Sequence, residues 1–394
     1  MKLLRLTLAF LSLALVSLAP AHAEDGLHDL QIGDPAPDFS LPGIDGKTHT
    51  LAEYKDAKLL MIAFISNHCP SSHAAEGRMK QLIAEMKGKG FVFVAINPNN
   101  PKGLSLDELG YSKYNDSFED MQKYAKDQGF DFPYLYDGET QAVAHAYGCL
   151  ATPHVFLFDA EHKLRYKGRF DDSEYADPST VKSPDARNAV EALLAGKEVP
   201  VAETKPHGCS TKWNSKSTGI AQKMEKWDKT PVDVQMIDTA GVSALRKNGS
   251  GRVRLFNVWA TWCVPCVQEF PELVTTARKF DLRNFEFITI SADDPKDPAP
   301  VKAFLEKHGA GLSARGKNAV KSEGRTTNSY VYNGDSTDDM MKALDPEWPG
   351  AIPHTVLVGA NGEILWRHNG PVDGDELRTK VLEAMGPYYV PGTR

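Results

Sequence analysis

Cysteine is scarce in this sequence: five residues in 394, at Cys69, Cys149, Cys209, Cys263 and Cys266. Only Cys263 and Cys266 stand close together. No second pair is present to complete a four-ligand zinc site, and the sequence calls for no metal or other cofactor. A basic patch is also lacking, which speaks against nucleic acid as a partner. Beyond the first two dozen residues no stretch approaches the roughly 20 apolar residues of a membrane helix, so no stable membrane anchor is expected. No cysteine follows the apolar N-terminal segment, so lipid attachment there is unsupported. Apolar residues make up 41% and charged residues 25%, the balance of an ordinary globular chain and not of a disordered one or a membrane bundle.

The N-terminus differs from the rest. Lys2 and Arg5 precede an apolar segment from Leu6 to Leu18, and Ala21-His22-Ala23 is a small-residue cleavage signal. This predicts a signal peptide over residues 1–23, cleaved near Ala23, and a periplasmic or otherwise exported protein. Its removal makes the chain two charges more negative than the formal −7 of the full sequence. An exported chain meets an oxidising compartment, where cysteine is paired or chemically active. Five is odd, so at least one thiol is free or pairs only transiently. The length suits two domains and a linker.

The stretch Trp262-Cys263-Val264-Pro265-Cys266 follows an apolar run, Val253 to Trp259, that reads as a buried strand. It precedes a helical pattern from Val267 to Phe280. A cysteine at a helix N-terminus faces free N–H groups and the positive end of the helix dipole, which favours its thiolate. The first sulfur would attack a substrate disulfide and the second would resolve the mixed disulfide. The competing readings are half a zinc site and a structural disulfide.

Residues 30–200 alternate buried strands (Leu59 to Ile65, Phe91 to Ile96, Val155 to Phe158) with helical patterns. That order predicts an α/β domain around a central sheet. The segments FISNHCPSS, DGETQAVAHAYG, ATPHVFLFD and YKGRFDD resemble the exported redoxins related to alkyl hydroperoxide reductase and thiol-specific antioxidant proteins, within the thioredoxin superfamily. The resemblance puts Cys69 where the fold carries its nucleophile and Pro153 in the loop that faces it. Ser72 stands where a second cysteine would be. Ser66-x-x-Cys69 partly matches the peroxiredoxin pattern, but Ile62 replaces its proline. Cys69 thus reads either as a peroxidatic cysteine or as a buried one. His68 and His73 read as exposed loop histidines, or as groups that hold copper or lower the thiol's pKa. Cys149 reads as a resolving partner or a core residue.

Residues 201–230 have linker chemistry, with Pro206, Gly208 and several serines and lysines. They carry Cys209, a candidate resolving cysteine on what reads as a mobile tail. Residues 231–388 return to strand–helix alternation, interrupted by a long polar stretch from Leu312 to Trp348 that reads as a functional loop or insertion. NVWATWCVPCVQEFPEL, WPGAIPHTVLV and NGEILWRHNG resemble the TlpA/ResA group of exported thiol–disulfide oxidoreductases. The resemblance implies a second thioredoxin-like domain. Cys263 and Cys266 would be its dithiol, Pro353 the cis-proline facing it, Glu269 a proton relay, and Trp262 and Pro265 residues that shape the site. An ordinary first-turn acid is the other account of Glu269.

Two thioredoxin-like α/β domains in tandem are therefore expected, in an exported thiol–disulfide oxidoreductase. Its partners would be disulfides of exported proteins and a membrane or soluble thiol donor, with cytochrome maturation one setting. The rival functions are a thiol-dependent peroxidase, with Cys69 recharged by the second domain, and a copper-binding module.

Overall fold

The two apolar runs that dominate the sequence become the central strands of two sheets. A computed structural model describes residues 26–389; the predicted signal peptide lies outside them. The N-terminal domain runs β1 (Ser40–Pro42), β2 (Thr48–Thr50), β3 (Leu59–Phe64), α1 (Pro70–Met86), β4 (Phe91–Asn97), α2 (Phe118–Gln128), β5 (Tyr134–Tyr136), α3 (Ala142–Tyr147), β6 (Ala151–Thr152), β7 (His154–Phe158), β8 (Leu164–Gly168) and α4 (Asp185–Leu194). β9 (Cys209–Ser210) and α5 (Ser217–Asp228) follow. The C-terminal domain runs β10 (Gln235–Ile237), α6 (Thr239–Lys247), β11 (Val253–Trp259), α7 (Val264–Lys279), β12 (Phe285–Ser291), α8 (Ala299–Lys307), α9 (Ala314–Lys321), β13 (Ser329–Tyr332), α10 (Thr337–Leu344), β14 (His354–Val358), β15 (Ile364–Asn369) and α11 (Gly374–Met385).

The sheets have the orders β5-β4-β3-β7-β8 and β10-β13-β12-β11-β14-β15. In each, the central strand is parallel to its successor (β3 with β4, β11 with β12) and antiparallel to the late strand (β3 with β7, β11 with β14). Every residue of β3 and β11 is buried, because helices cover both faces. Side chains alternate between faces. Leu59, Met61 and Ala63 enter one core layer, and Leu60, Ile62 and Phe64 the other. In β11 the same alternation puts Leu255 and Trp259 in the layer of α7, and Phe256 and Val258 in the opposite one.

The polar stretch from Leu312 to Trp348 is not an open loop. It holds α9, α10 and the four-residue strand β13, which is wholly buried and pairs with β10 and β12. A strand that short generates no readable period.

The connection between the domains is strapped down. Lys167 and Thr204 pair along the edge of β8, the Lys212 N–H donates to Asn99 Oδ1 at 2.8 Å, and Trp213 is buried against His145. α5 then touches both domains, through Lys223 to Asp107 and through the Trp227 indole N–H to the Gly311 carbonyl at 2.9 Å.

Arg283, just past α7, fastens the domains together. Its guanidinium donates to the Gly110 carbonyl at 2.7 Å and the Gly386 carbonyl at 3.1 Å, and lies over the rings of Tyr111 and Tyr388. Arg283→Ala strips a donor from each carbonyl and is expected to cost about 1–3 kcal/mol in urea unfolding. The transitions of the two domains should separate; an unchanged midpoint and a single transition would deny the clamp any part in coupling them.

Candidate active site

Each central strand stops a few residues before a helix that starts on a cysteine. Cys263 is the N-cap of α7 and Cys69 the N-cap of α1, each with a proline in the first turn, Pro265 and Pro70. Proline costs nothing there, because the first N–H groups of a helix have no partner within it. The remaining free donors point at the sulfur: the Cys266 N–H donates to Cys263 Sγ at 3.3 Å.

Cys263 and Cys266 are joined as a disulfide, with a Cα separation of 5.3 Å. Cys263 keeps a little exposure and Cys266 none. The Ile352–Pro353 bond is cis, and the Ile352 carbonyl lies 3.8 Å from Cys263 Sγ. The proline loop is braced from behind. The Trp348 indole N–H donates to the Ala351 carbonyl at 2.8 Å, its ring stacks on His354, and His354 Nδ1 meets Asn369 Oδ1 at 2.7 Å. Trp262 and Val264 are each 66% exposed, an apolar rim beside the sulfurs.

Glu269 sits buried under this rim. Its Oε1 accepts from Asn257 Nδ2 at 3.0 Å and its Oε2 from the Val372 N–H at 2.7 Å. Burial pushes its carboxyl above the usual carboxylate range, outweighing the two hydrogen bonds that favour the charged form. Asn257 also donates to Thr355 Oγ1 at 3.1 Å, tying Glu269 to the strand after Pro353. Sequence reasoning passed over Asn257, although it is the lone amide in the apolar run VRLFNVW.

In the N-terminal domain the Thr152–Pro153 bond is likewise cis, and the Thr152 carbonyl lies 3.0 Å from Cys69 Sγ. Ser66 directs its hydroxyl to Thr152 Oγ1 at 2.9 Å. His68 is not an exposed loop residue. It is buried, with Nδ1 at 2.5 Å from Asp116 Oδ2. Asp116, which no local pattern marks because it lies 48 residues away, also accepts from the Asn67 N–H at 2.8 Å and Asn99 Nδ2 at 2.8 Å. Burial opposes charge on both groups, but each stabilises the other: Asp116 is held below the usual carboxylate range and His68 above the ordinary imidazole value. His73 turns to the Asn67 carbonyl at 2.8 Å and stacks on Tyr124. Among the described residues, no three or more His, Cys, Asp and Glu side chains are grouped to hold a metal ion.

The remaining cysteines part company. Cys149 is a core residue whose thiol meets the Ala151 carbonyl and Thr211 Oγ1, both at 3.5 Å; burial pushes it up to about 12. Cys209 is not on a loose tail. β9 pairs antiparallel with β6, setting Cys209 opposite Thr152 and its thiol against the sulfur of Cys69. Glycine precedes it of necessity: Gly208 has φ +150°, and a Cβ there would lie 2.1 Å from the Thr152 carbonyl.

The two sulfur sites do not face each other. The C-terminal end of α7 abuts Gly110 of the N-terminal domain, and the Ser71 and Tyr389 hydroxyls meet at 3.2 Å on the same side. Cys263 is at the other end of α7, whose 16 residues span about 24 Å.

Residues 32–167 match the model of the AhpC/TSA family, and residues 229–384 that of the Redoxin family. The thiol–disulfide oxidoreductase ResA of Geobacillus thermodenitrificans is 27% identical over 134 residues, 34% of this chain and 67% of that protein. The thiol:disulfide interchange protein CycY of Rhizobium leguminosarum bv. viciae is 30% identical over 135 residues, 34% of this chain and 59% of its own length. A hypothetical protein of Sinorhizobium meliloti 1021 of solved structure is 37% identical and covers 48% of this chain and 97% of its own, with a TM-score of 0.42. The chain thus carries two redoxin domains in tandem, one matching AhpC/TSA over residues 32–167 and one matching Redoxin over residues 229–384, each with a cysteine at a helix start and a cis-proline beside it.

Proposed function

We propose that this protein is an exported thiol–disulfide oxidoreductase that reduces disulfides of exported proteins through Cys263 and Cys266. The observation that carries the reading is the placing of Cys263 Sγ at the N-cap of α7, beside the carbonyl of Ile352 that precedes the cis-proline. An extended substrate can pair with that backbone while its sulfur meets Cys263, and Trp262 and Val264 offer it an apolar rim. The Cys263 thiolate attacks the substrate disulfide, and one substrate sulfur leaves as a thiolate. Cys266 then attacks Cys263, and the second substrate thiol departs. The names of ResA and CycY support this chemistry. Residues 1–23 support export, and among the described residues no helix is long and apolar enough to cross a membrane. Recharging requires a membrane or soluble thiol donor. Apocytochromes, whose cysteines must be reduced before haem attachment, are one substrate class that suits such an enzyme.

Glu269 serves as the proton relay for Cys266. A carboxyl raised by burial exchanges protons nearer neutral pH than an exposed one, which is what activation of a buried thiol requires.

Cys263→Ser should abolish reduction of insulin disulfides, while Cys69→Ser leaves it largely intact. Equal loss in both would remove the activity from the C-terminal dithiol. Cys266→Ser should accumulate mixed disulfides on Cys263, and mass spectrometry of those adducts would identify the natural substrates.

Glu269→Gln should slow exchange roughly 10–100-fold and flatten its pH profile through neutrality. The amide also turns an N–H toward one of two donors, Asn257 or Val372, so a loss of about 1–3 kcal/mol in stability is expected alongside. A stability loss with an unchanged pH profile would leave Glu269 a structural group.

A further inference from the structure

The N-terminal domain has lost the second cysteine of its helix, yet a thiol stands beside Cys69 all the same. It arrives on β9, from a part of the chain beyond the sheet. β9 is antiparallel to β6 and puts Cys209 opposite Thr152, the residue before the cis-proline. The corresponding edge of the C-terminal domain, at Ile352, has no strand on it among the described residues. The N-terminal domain therefore holds, in its own chain, the kind of cysteine-bearing strand that the C-terminal domain would receive from outside.

We infer that Cys69 and Cys209 form a second thiol–disulfide centre, in which β9 is a built-in strand at the cis-proline edge, and that this centre takes electrons from an incoming thiol at Cys209. Nothing in it depends on Cys263 or Cys266. Three features of the site point the same way. Cys69 is fully buried and Cys209 partly exposed, so Cys209 is the nearer of the two to an outside thiolate. Cys69 is the better leaving group: despite the cost of burying a charge, the Cys209 thiol, the His68 imidazolium and the Ser72 N–H hold its thiolate well below the ordinary thiol range. Its neighbour is held the other way, the Cys209 thiol being raised because it donates to Cys69 and is partly desolvated. A dithiol whose reduced form is stabilised in this manner makes an oxidising disulfide. Asp116 acts through His68, anchoring the ring whose Nε2 is buried with no hydrogen-bond partner.

The electrons balance as two exchanges. To form the bond, Cys209 loses its proton and attacks a small external disulfide, RSSR, and one RS− leaves and takes up a proton. The Cys69 thiolate then attacks the Cys209 sulfur. The second RS− departs, and two protein thiols have been oxidised as one disulfide became two thiols. To discharge it, a thiolate attacks Cys209 Sγ, the S–S bond breaks and Cys69 leaves as the thiolate. A second thiol displaces Cys209, which takes up a proton as the new disulfide leaves.

The test uses the full chain carrying Cys263→Ser and Cys266→Ser, so that only Cys69, Cys149 and Cys209 remain. After treatment with oxidised glutathione, acid quenching and alkylation, peptide mapping should show Cys69 linked to Cys209 and Cys149 alkylated. Limiting reduced glutathione should then leave glutathione on Cys209. Adding Cys69→Ser should leave a stable glutathione adduct on Cys209. His68→Gln, with circular dichroism and melting unchanged, should shift the centre toward disulfide on the order of ten-fold in a fixed glutathione buffer, the effect of one pKa unit on the leaving thiolate. Glutathione found on Cys69 after the limiting step, a Cys69–Cys149 link, or oxidation of Cys69 by hydrogen peroxide alone would each overturn the inference, the last in favour of a peroxidase.

Discussion

A sulfur can be held at the start of a helix only if the strand before it stops at the right residue. Both centres rest on that constraint. β3 and β11 are buried on both faces and paired on both edges, so neither can slide. A slip of one residue would turn Leu60, Ile62 and Phe64, or Phe256 and Val258, to the wrong layer. The register that satisfies the core also puts Cys69 and Cys263 at the N-caps of α1 and α7, where the Cys266 N–H donates to Cys263. It sets the antiparallel strand so that the carbonyl before its proline reaches the same point. Core packing thus positions the chemistry.

On that common frame the two domains solve the charge problem differently. The C-terminal domain buries a carboxyl, Glu269, and burial keeps it closer to neutral. The N-terminal domain buries a full ion pair, His68 with Asp116, and surrounds the carboxylate with amide donors from Asn67, Asn97 and Asn99. Buried pairs of this kind contribute little net stability, because desolvation offsets the attraction. Their presence here is better explained by what they do to a neighbouring thiol.

Much of the fold was legible because its signals were local. Runs such as Leu59 to Phe64 and Val253 to Trp259, the Cys-x-x-Cys spacing and the two late prolines lie where short-range physics can be read. What escaped has a common character. β13 is four residues inside polar flanks, too short for a period. The stretch around Cys209 is rich in Gly, Pro, Ser and Lys and reads as loose chain, yet its backbone bonds are to Leu150, Thr152 and Asn99, far off in sequence. His68 looked exposed because the partner that justifies its burial is Asp116, on a distant loop. Glu269 could be singled out, but Asn257 and Val372, which fix its two oxygens, meet it only in the fold.

The contact at Arg283 and Gly110 holds the two centres apart by about the length of α7, and a disulfide can be handed over only between sulfurs that touch. While that contact persists, the C-terminal dithiol does not recharge the N-terminal pair within its own molecule. The chain is then a carrier of four electrons in two separate stores. One exchanges with whatever docks at Trp262 and the other with whatever reaches Cys209. Each store can be filled from a different source, and a single molecule can be half spent in either of two distinct ways.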